Sequence, residues 1–520
     1  MMASFSISLL LIVAFLGLTL VVGLMGSKAT TFRAYAVDNK RLSTFKLLAS
    51  IVGTSLCGWS LRYFVEYSYS ATLYQIIPKL FLESSQLWGI SLLWVRMAPF
   101  MQHLSMPEMI GHAYGKYPRI IAALCCIISS IGLLIVQIDV IYFIIRICID
   151  SMVPETITIW ATLVLMAYAT VGGIRSVTNT DVLQCITFIA IIFLIAKLMF
   201  VKTDKTILEI VSFLHKQGKI TFNNLFYPDT KLWQYWLSRF LPYYFLSFFH
   251  AVSSPLIIQR VYMCSGPIQV KKVFLYGSFA YFFTLFFAVL IGLFLFSANP
   301  TLPVTEVWPY IVASTAPFVR GLVVIGILGF AMSTADSCLH LCSVLVAHDL
   351  MESIRKVRPI SDKLQIRVAQ LTTLIVGLLV MLLVQCGNDL LAGSNHWVCQ
   401  GLFVYIQHFS DLLLMLTDFC VPLSPLVVLA LFGFRGTSCT AFVGMAMGLL
   451  FCIFYAKWSC TSMYNFFMFY PVVGILSTLA AHYLLPQPAG KGWVGLDGQQ
   501  KRLLQLTSAF KKFKKRVDIE

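Results

Sequence analysis

Two polar runs interrupt long apolar stretches of this chain and contain side chains that could bind a cation. The run from Ala167 to Gln184 places Asp181 just inside the next apolar stretch, and the run from Gly329 to Ser337 contains the adjacent hydroxyls of Ser333 and Thr334. Sodium is a hard cation that binds oxygen ligands, and hydroxyls beside backbone carbonyls freed from an interrupted helix can supply them. An ionisable residue inside a membrane span is costly, which makes Asp181 a candidate for function. The alternative for the hydroxyl pair is that both side chains bond back to their own helix.

A second group of residues could bind an organic solute. Arg62 and Glu66 are spaced i,i+4 on one predicted span, and such a pair can meet on one face of a helix. The planar guanidinium of Arg62 also suits a carboxylate, so it or the helix end near Gly58 could receive a substrate carboxylate while Trp59 packs on the apolar part. A purely structural ion pair is the alternative. The candidate substrate-binding residues are Trp59, Arg62, Gln137, Asp139 and Ser254.

The composition restricts the class of protein that can hold these groups. Of 520 residues, 59% are hydrophobic and only 12% charged, whereas a soluble domain carries about 25% charged residues. The chain is therefore a polytopic all-α membrane protein with one membrane domain. The net charge of +16 reflects basic cytoplasmic loops rather than nucleic-acid binding. There is no nucleophile–base arrangement, phosphate loop or metal cluster, so we predict no enzyme, no cofactor and no metal other than sodium.

Apolar windows of about 20 residues predict about thirteen transmembrane helices. The second, Lys46–Ser68, contains Gly53-Thr54-Ser55-Leu56-Cys57-Gly58, and the seventh, Trp236–Arg260, contains Ser253-Ser254-Pro255. Paired interruptions in corresponding halves point to a transporter binding site, and these two stand five spans apart. We therefore predict two inverted repeats of five helices, with unrelated packing kinks as the alternative. The predicted division is 1–45 (first helix and loop), 46–200 and 236–433 (the repeats), 201–235 (external loop), 434–486 (two further helices) and 487–520 (tail).

The distribution of lysine and arginine predicts the orientation. The first apolar run has no preceding cation, which favours a retained first helix with the N-terminus outside, and an odd number of spans then leaves the C-terminus in the cytoplasm. The tail holds Lys511, Lys512, Lys514, Lys515 and Arg516. It could form an amphipathic helix on anionic lipid, or it could be a solvated basic segment.

The first polar run resembles the signature of the sodium:solute symporter family, with the same order of Tyr168, Gly172-Gly173, Arg175, Thr180-Asp181 and Gln184. The run Met332–Ser337 resembles a core helix of that family, and the stretch Ser50–Trp59 resembles another. Weaker similarity extends over nearly the whole chain, and bacterial proline and pantothenate symporters are among the members it resembles.

The resemblance implies a LeuT-type fold with a sodium ion held by backbone oxygens of Gly53, Leu56 and Phe330 and by the hydroxyls of Ser333 and Thr334. It also suggests Asp181 as a second ion ligand or coupling residue. The chain departs from some relatives at Ser55, where they have aspartate, and at Phe330, where small residues are usual and the ring is expected to crowd the site.

These observations predict a sodium-coupled symporter in the plasma membrane, in a bacterium the inner membrane, that imports an amino acid or small carboxylate by alternating access. One alternative is a proton-coupled relative that uses Asp139 or Asp181. The other is a membrane sensor that binds solute without transport. The oligomeric state is left open.

Overall fold

The computed structural model describes residues 2–26, 29–148, 154–220, 241–354, 360–392, 418–458, 469–495, 500–501 and 505. Helices make up most of these residues. Those in the first half are α1 Met2–Leu24, α2 Phe32–Val37, α3 Thr44–Ser55, α4 Gly58–Ser70, α5 Leu73–Leu92, α6 Trp94–Met97, α7 Met106–Tyr114, α8 Lys116–Cys148, α9 Pro154–Gly172, α10 Ile174–Lys202 and α11 Ile207–Lys216.

Further helices follow along the chain. They are α12 Leu241–Ser253, α13 Pro255–Met263, α14 Pro267–Ala298, α15 Val307–Ala313, α16 Pro317–Val344, α17 Met351–Ile354, α18 Asp362–Ala392, α19 Ser424–Leu431, α20 Ser438–Trp458 and α21 Phe469–Leu484. Short 3-10 turns lie at Asp38–Lys40, Ala98–Phe100, Val304–Glu306 and Asp418–Leu423.

Seven of the described helices are long and apolar enough to cross a membrane: α1, α8, α9, α10, α14, α16 with its extension to Ile354, and α18. The pair α3 and α4 passes the same test as one span bent by 60°. The all-α membrane architecture is therefore confirmed. The number of about thirteen spans and the five-helix repeats stay predictions, because parts of the predicted seventh, eleventh and thirteenth spans lie outside the described residues.

Helix α16 lies at the centre of the bundle and packs on α1, α8 and α10. Its most apolar window is 78% buried, against 33% for α1. A helix that is buried on all sides has no polar face to place in water. Any hydroxyl or carboxyl group on α16 must therefore find its partners within the protein, on α16 itself or on neighbouring helices. For this reason the polar run from Gly329 to Ser337 is where a buried site is expected.

Both predicted interruptions are present. Leu56 ends α3 with an extended backbone (φ −88°, ψ 93°), and α4 starts two residues later at Gly58. Ser254 separates α12 from α13, which begins at Pro255. Proline lacks an N–H and fits the first turn of a helix, which explains why α13 begins at Pro255.

Two features differ from the predicted helices. The predicted ninth span, Pro317–Val346, continues through a π-helical turn at Leu345–Leu350 to Ile354. The predicted C-terminal tail contains a strand, β2 (Gly492–Trp493), which pairs antiparallel with β1 (Phe434–Arg435). Strands of two residues have no readable periodicity, so the sequence could not indicate them. The basic cluster at 511–516 lies outside the described residues.

Candidate functional site

The hydroxyl pair of α16 faces the end of α3. The Thr334 hydroxyl lies 3.3 Å from the Gly53 carbonyl oxygen and 3.4 Å from the Phe330 carbonyl oxygen. Leu56, the next predicted ligand, is the residue at which α3 leaves helical geometry. The break therefore brings backbone oxygens of α3 and a hydroxyl of α16 to one buried junction. Oxygen donors in that combination match a hard monovalent cation.

The absence of a side chain at Gly53 makes this approach possible. A Cβ atom built there would collide with the Ser333 hydroxyl and come within 3.8 Å of Asp181 Oδ1. The Phe330 side chain, which was expected to crowd the site, packs against α10. Its ring stacks on Phe188 at a centroid distance of 3.9 Å, while its carbonyl oxygen stays near Thr334.

Asp181 joins the same junction from α10. It is fully buried and accepts hydrogen bonds from Ser50 (2.6 Å) on one oxygen and from Ser333 on the other. The carboxylate thus connects α3, α10 and α16 at the hydroxyl pair. Asp181 therefore lies beside Ser333 and Gly53, two of the predicted cation ligands.

Arg260 is a member of this cluster that the sequence analysis did not assign to the site. Its guanidinium is fully buried and lies 3.9 Å from Asp181 Oδ2. It donates to Ser50 (3.0 Å), to Thr54 (2.8 Å) and to Ser337. A charged residue five positions after the Pro255 restart of a membrane helix was the signal that could have identified it.

The sequence analysis also did not assign a second buried carboxylate, Asp336, to the site, although this residue lies in the run Gly329–Ser337. It accepts hydrogen bonds from Tyr168 (2.8 Å) and Thr180 (3.2 Å), both of which belong to the first polar run. The Ser337 hydroxyl, which Arg260 contacts, lies 3.4 Å from Asp336 Oδ1. The two runs that opened the sequence analysis therefore form one connected network.

Gln137 belongs to α8, and its side chain contacts the first residue of α4. Its Oε1 accepts a hydrogen bond from the Gly58 N–H at 3.0 Å, and the side chain is fully buried. Its Nε2 has no hydrogen-bond partner among the described residues. A buried donor without an acceptor is costly, so a group that completes it is expected at the break. Ser254, half-buried, lies at the other break.

The remaining substrate candidates lie on the α4 side of this break. Arg62 pairs with Glu66 at 2.9 Å and stacks on Phe143 with its guanidinium carbon 3.8 Å from the ring centroid. Asp139 is exposed. It stands two residues from buried Gln137, which turns the helix by about 200°. The sequence analysis grouped Gln137 with Asp139, and the structure places the two side chains on different faces of α8.

Another cluster of charges joins α7, α8 and the end of the α16 segment. His348 lies 3.1 Å from Glu108 and 3.2 Å from Glu352, and Arg119 lies 2.7 Å from Asp349 and 3.3 Å from Glu352. Burial alone would raise the pKa of Glu108, but the hydrogen bond and charge of His348, with the N–H of Leu104, lower it to about 2. A cavity of about 630 Å³ borders the cluster.

A model of the sodium:solute symporter family matches residues 35–448 of this chain. The chain belongs to that family. It is 24% identical over 331 residues to the sodium/sialic acid symporter NanT of Aliivibrio fischeri, and 24% identical over 343 residues to the sodium/sialic acid symporter SiaT of Proteus mirabilis. These matches cover 61% and 63% of this chain and 61% and 64% of those proteins.

A solved structure of a Na⁺-coupled sialic acid symporter in a substrate-bound, outward-open state has a similar fold. The TM-score is 0.74, with 92% of this chain and 98% of that chain covered at 19% sequence identity. At that identity the likeness establishes the fold alone. The membrane fold predicted from the family resemblance is therefore confirmed at the level of the whole bundle.

Proposed function

We propose that this chain is a sodium-coupled symporter that carries a small organic solute through the plasma membrane by alternating access. The observation that carries the proposal is the junction where the Thr334 hydroxyl meets the Gly53 carbonyl at the end of a broken span. The sodium ligands in this proposal are the backbone oxygens of Gly53, Leu56 and Phe330 and the hydroxyls of Ser333 and Thr334. Asp181 is the coupling residue or a ligand of a second ion.

The solute is proposed to bind at the helix break beside this ion. Gln137 Nε2 would donate to a solute oxygen, since it is a buried donor held in place through its own Oε1. Trp59 lies one residue beyond Gly58 and would cover an apolar part, and Ser254 would contribute from the other break. Arg62 is neutralised by Glu66 and is no longer the preferred carboxylate receptor.

The names of the relatives favour a sugar acid over an amino acid as solute. Both curated relatives are sodium/sialic acid symporters. A sialic acid is therefore the first solute to test, and no partner beyond solute, sodium and lipid is proposed. The N-terminus is placed outside and the C-terminus in the cytoplasm, so the side at which α4 ends is the outer side.

The experiment is uptake of a radiolabelled sialic acid into proteoliposomes with and without an inward sodium gradient. We expect sodium-driven uptake in the wild type and its loss in Ser333→Ala/Thr334→Ala, because the double variant removes two cation ligands. Thr162→Ala is the matched control, since this buried hydroxyl donates to the Thr158 carbonyl of its own helix at 2.8 Å. Sodium dependence that survives in the double variant would contradict the ion site.

Proton coupling is the second candidate, because two buried carboxylates, Asp181 and Asp336, share one arginine. Uptake that follows a proton gradient, is indifferent to sodium and disappears in Asp181→Asn would establish it. Binding of solute without uptake under either gradient would instead identify a sensor.

A further inference from the structure

Helices α5 and α14 pack against each other as an antiparallel pair. At one end the Phe81 and Phe282 rings lie 5.0 Å apart. At the other end the Lys271 ammonium lies 5.6 Å from the ring centroid of Trp94, two residues after the end of α5. The last turn of α5 and the short helix α6 that follows it therefore lie beside the start of α14.

Each of the two helices presents a stripe of exposed apolar side chains. The exposed residues are Phe81, Trp88 and Leu92 on α5, and Tyr276, Phe279 and Phe283 on α14. Steps of three, four and seven residues place each set on one face of its helix. Exposed apolar patches of this kind mark surfaces that contact a membrane, so both stripes face the acyl chains of lipid.

Both stripes end in cations. Exposed Lys272 stands four residues before Tyr276, with Lys271 next to it, and Arg96 of α6 stands four residues after Leu92. Because the helices are antiparallel, these cations gather at the same end of the pair. The proposed topology places that end on the cytoplasmic side of the membrane.

The charges of Arg96 and Lys271 are not compensated within the described residues. The Arg96 guanidinium carbon lies 5.3 Å from the Phe432 ring centroid, and the side chains of Arg96 and Lys271 form no hydrogen bond or ion pair with the described part of the chain. The stretches 84–107, 230–305 and 419–496, which contain both cations and both rings, include no aspartate or glutamate. A cation stacked on an aromatic ring keeps N–H donors that an anionic oxygen can accept.

We propose that this end of the α5–α14 pair binds an anionic phospholipid, with its phosphate at Arg96 and Lys271 and its acyl chains along the two apolar stripes. Basic pockets between membrane helices on the cytoplasmic side bind anionic headgroups, and that leaflet is rich in anionic lipid. The continuity of the cations with lipid-facing side chains favours a lipid over a soluble anion. The bound lipid holds α6 and the start of α14 together.

The test measures lipid binding to the purified full-length chain by native mass spectrometry. Phosphatidylglycerol is the anionic probe, and phosphatidylcholine with the same acyl chains is the zwitterionic one. We expect the wild type to bind phosphatidylglycerol more tightly, and Arg96→Gln/Lys271→Gln to lose about fivefold in affinity for each cation removed. Affinity for phosphatidylcholine should not change. Arg96→Lys/Lys271→Arg should keep most of the preference because it keeps both charges.

Lys202→Gln is the matched control for Lys271→Gln. The Lys202 ammonium also lies 5.6 Å from an aromatic ring centroid, that of Tyr310, but it belongs to the end of α10, which the proposed topology places outside. We expect Lys202→Gln to bind phosphatidylglycerol as the wild type does. Equal losses in the two variants would show a response to overall charge and overturn the proposal. So would equal affinities of the wild type for the two lipids.

Two further measurements complete the test. The thermal midpoint in phosphatidylcholine should be the same in wild type and variants, and a lower midpoint with equal loss of both lipids would show that the cations are only structural. Glycerol phosphate, which has no acyl chains, should not displace phosphatidylglycerol, and displacement at similar concentrations would show a site for soluble anions instead. Neither measurement involves uptake, so the result is independent of the proposed symport.

Discussion

Gly53 shows at the scale of single residues how the ion site depends on a missing side chain. Its carbonyl faces Thr334, and its α-carbon leaves no room for a Cβ beside the Ser333 hydroxyl. The neighbouring Asp181 accepts from Ser333. A methyl group at this position would therefore displace a hydroxyl from both a carboxylate and the proposed cation.

Gly53→Ala is expected to lower the apparent sodium affinity by about tenfold or more while the protein still folds, because alanine favours a helix by about 1 kcal/mol over glycine. The sodium concentration for half-maximal uptake measures the effect. Gly17→Ala is the control, since a Cβ at that exposed position meets nothing within 4 Å. Equal sodium affinities in both variants would refute the role assigned to Gly53.

The sequence predicted some of these residues and missed others for a physical reason. Ser333, Thr334 and Asp181 stand out as polar groups inside apolar runs, and the resemblance to the symporter family assigned them to the ion site. Arg260 could not be assigned, since its partners Ser50 and Ser337 are distant along the chain and only the packed structure brings them within reach.

Short elements at the end of the α16 segment are connected to α7 and α8 through charged side chains. The π-helical turn Leu345–Leu350 carries His348 and Asp349, which pair with Glu108 of α7 and Arg119 of α8. Proline at the second position of α7 and the Ser105 cap fix where that helix begins. The charges thus join three elements that the proposed topology places at the cytoplasmic side.

Glu108→Gln is expected to destabilise this connection by about 1.5–3 kcal/mol, the range for hydrogen bonds to charged groups. Since the folded-state pKa of Glu108 is lowered to about 2 from 4.5, its contribution is present above pH 4.5 and is lost as the pH falls towards 2. The thermal midpoint of the purified protein should therefore drop in the variant at neutral pH, and the difference from wild type should shrink below pH 4.5.

Glu306→Gln is the control for that experiment, because Glu306 is an exposed acid in a 3-10 turn. A midpoint difference in Glu108→Gln that persists unchanged to the lowest pH would contradict the charge pairing.

At the scale of secondary-structure elements, the long helices and both helix breaks were predicted correctly from the sequence. Length and apolarity identify spans, and glycine, serine and proline identify where a span stops. The 60° angle between α3 and α4, the π-helical turn and the β1–β2 pair were not predictable, because each depends on contacts between segments distant in the chain.

For the whole molecule the orientation in the membrane can be tested with cysteines already present. Cys439 is exposed at the start of α20, shortly after strand β1. The proposed topology places it on the cytoplasmic side. A membrane-impermeant maleimide should therefore label Cys439 in inside-out vesicles and leave it unlabelled in right-side-out vesicles, as read by mass spectrometry of the peptide.

Cys439→Ser provides the control, since it removes that labelled peptide without changing the size of the side chain appreciably. Labelling of Cys439 from the outside would reverse the assignment of both termini. The overall arrangement of helices would be unaffected, because the fold was established by its likeness to a solved transporter.

The buried network also has an electrical consequence. With both carboxylates ionised, Asp181 and Asp336 contribute −2 and Arg260 contributes +1, so the cluster without sodium carries −1. One bound sodium ion would bring it to zero. A membrane potential acts on charge with about 2.3 kcal/mol per elementary charge per 100 mV. The carboxylate of a bound sialic acid would return the loaded cluster to −1, so the membrane potential should act on the loaded step as well as on the return of the empty carrier.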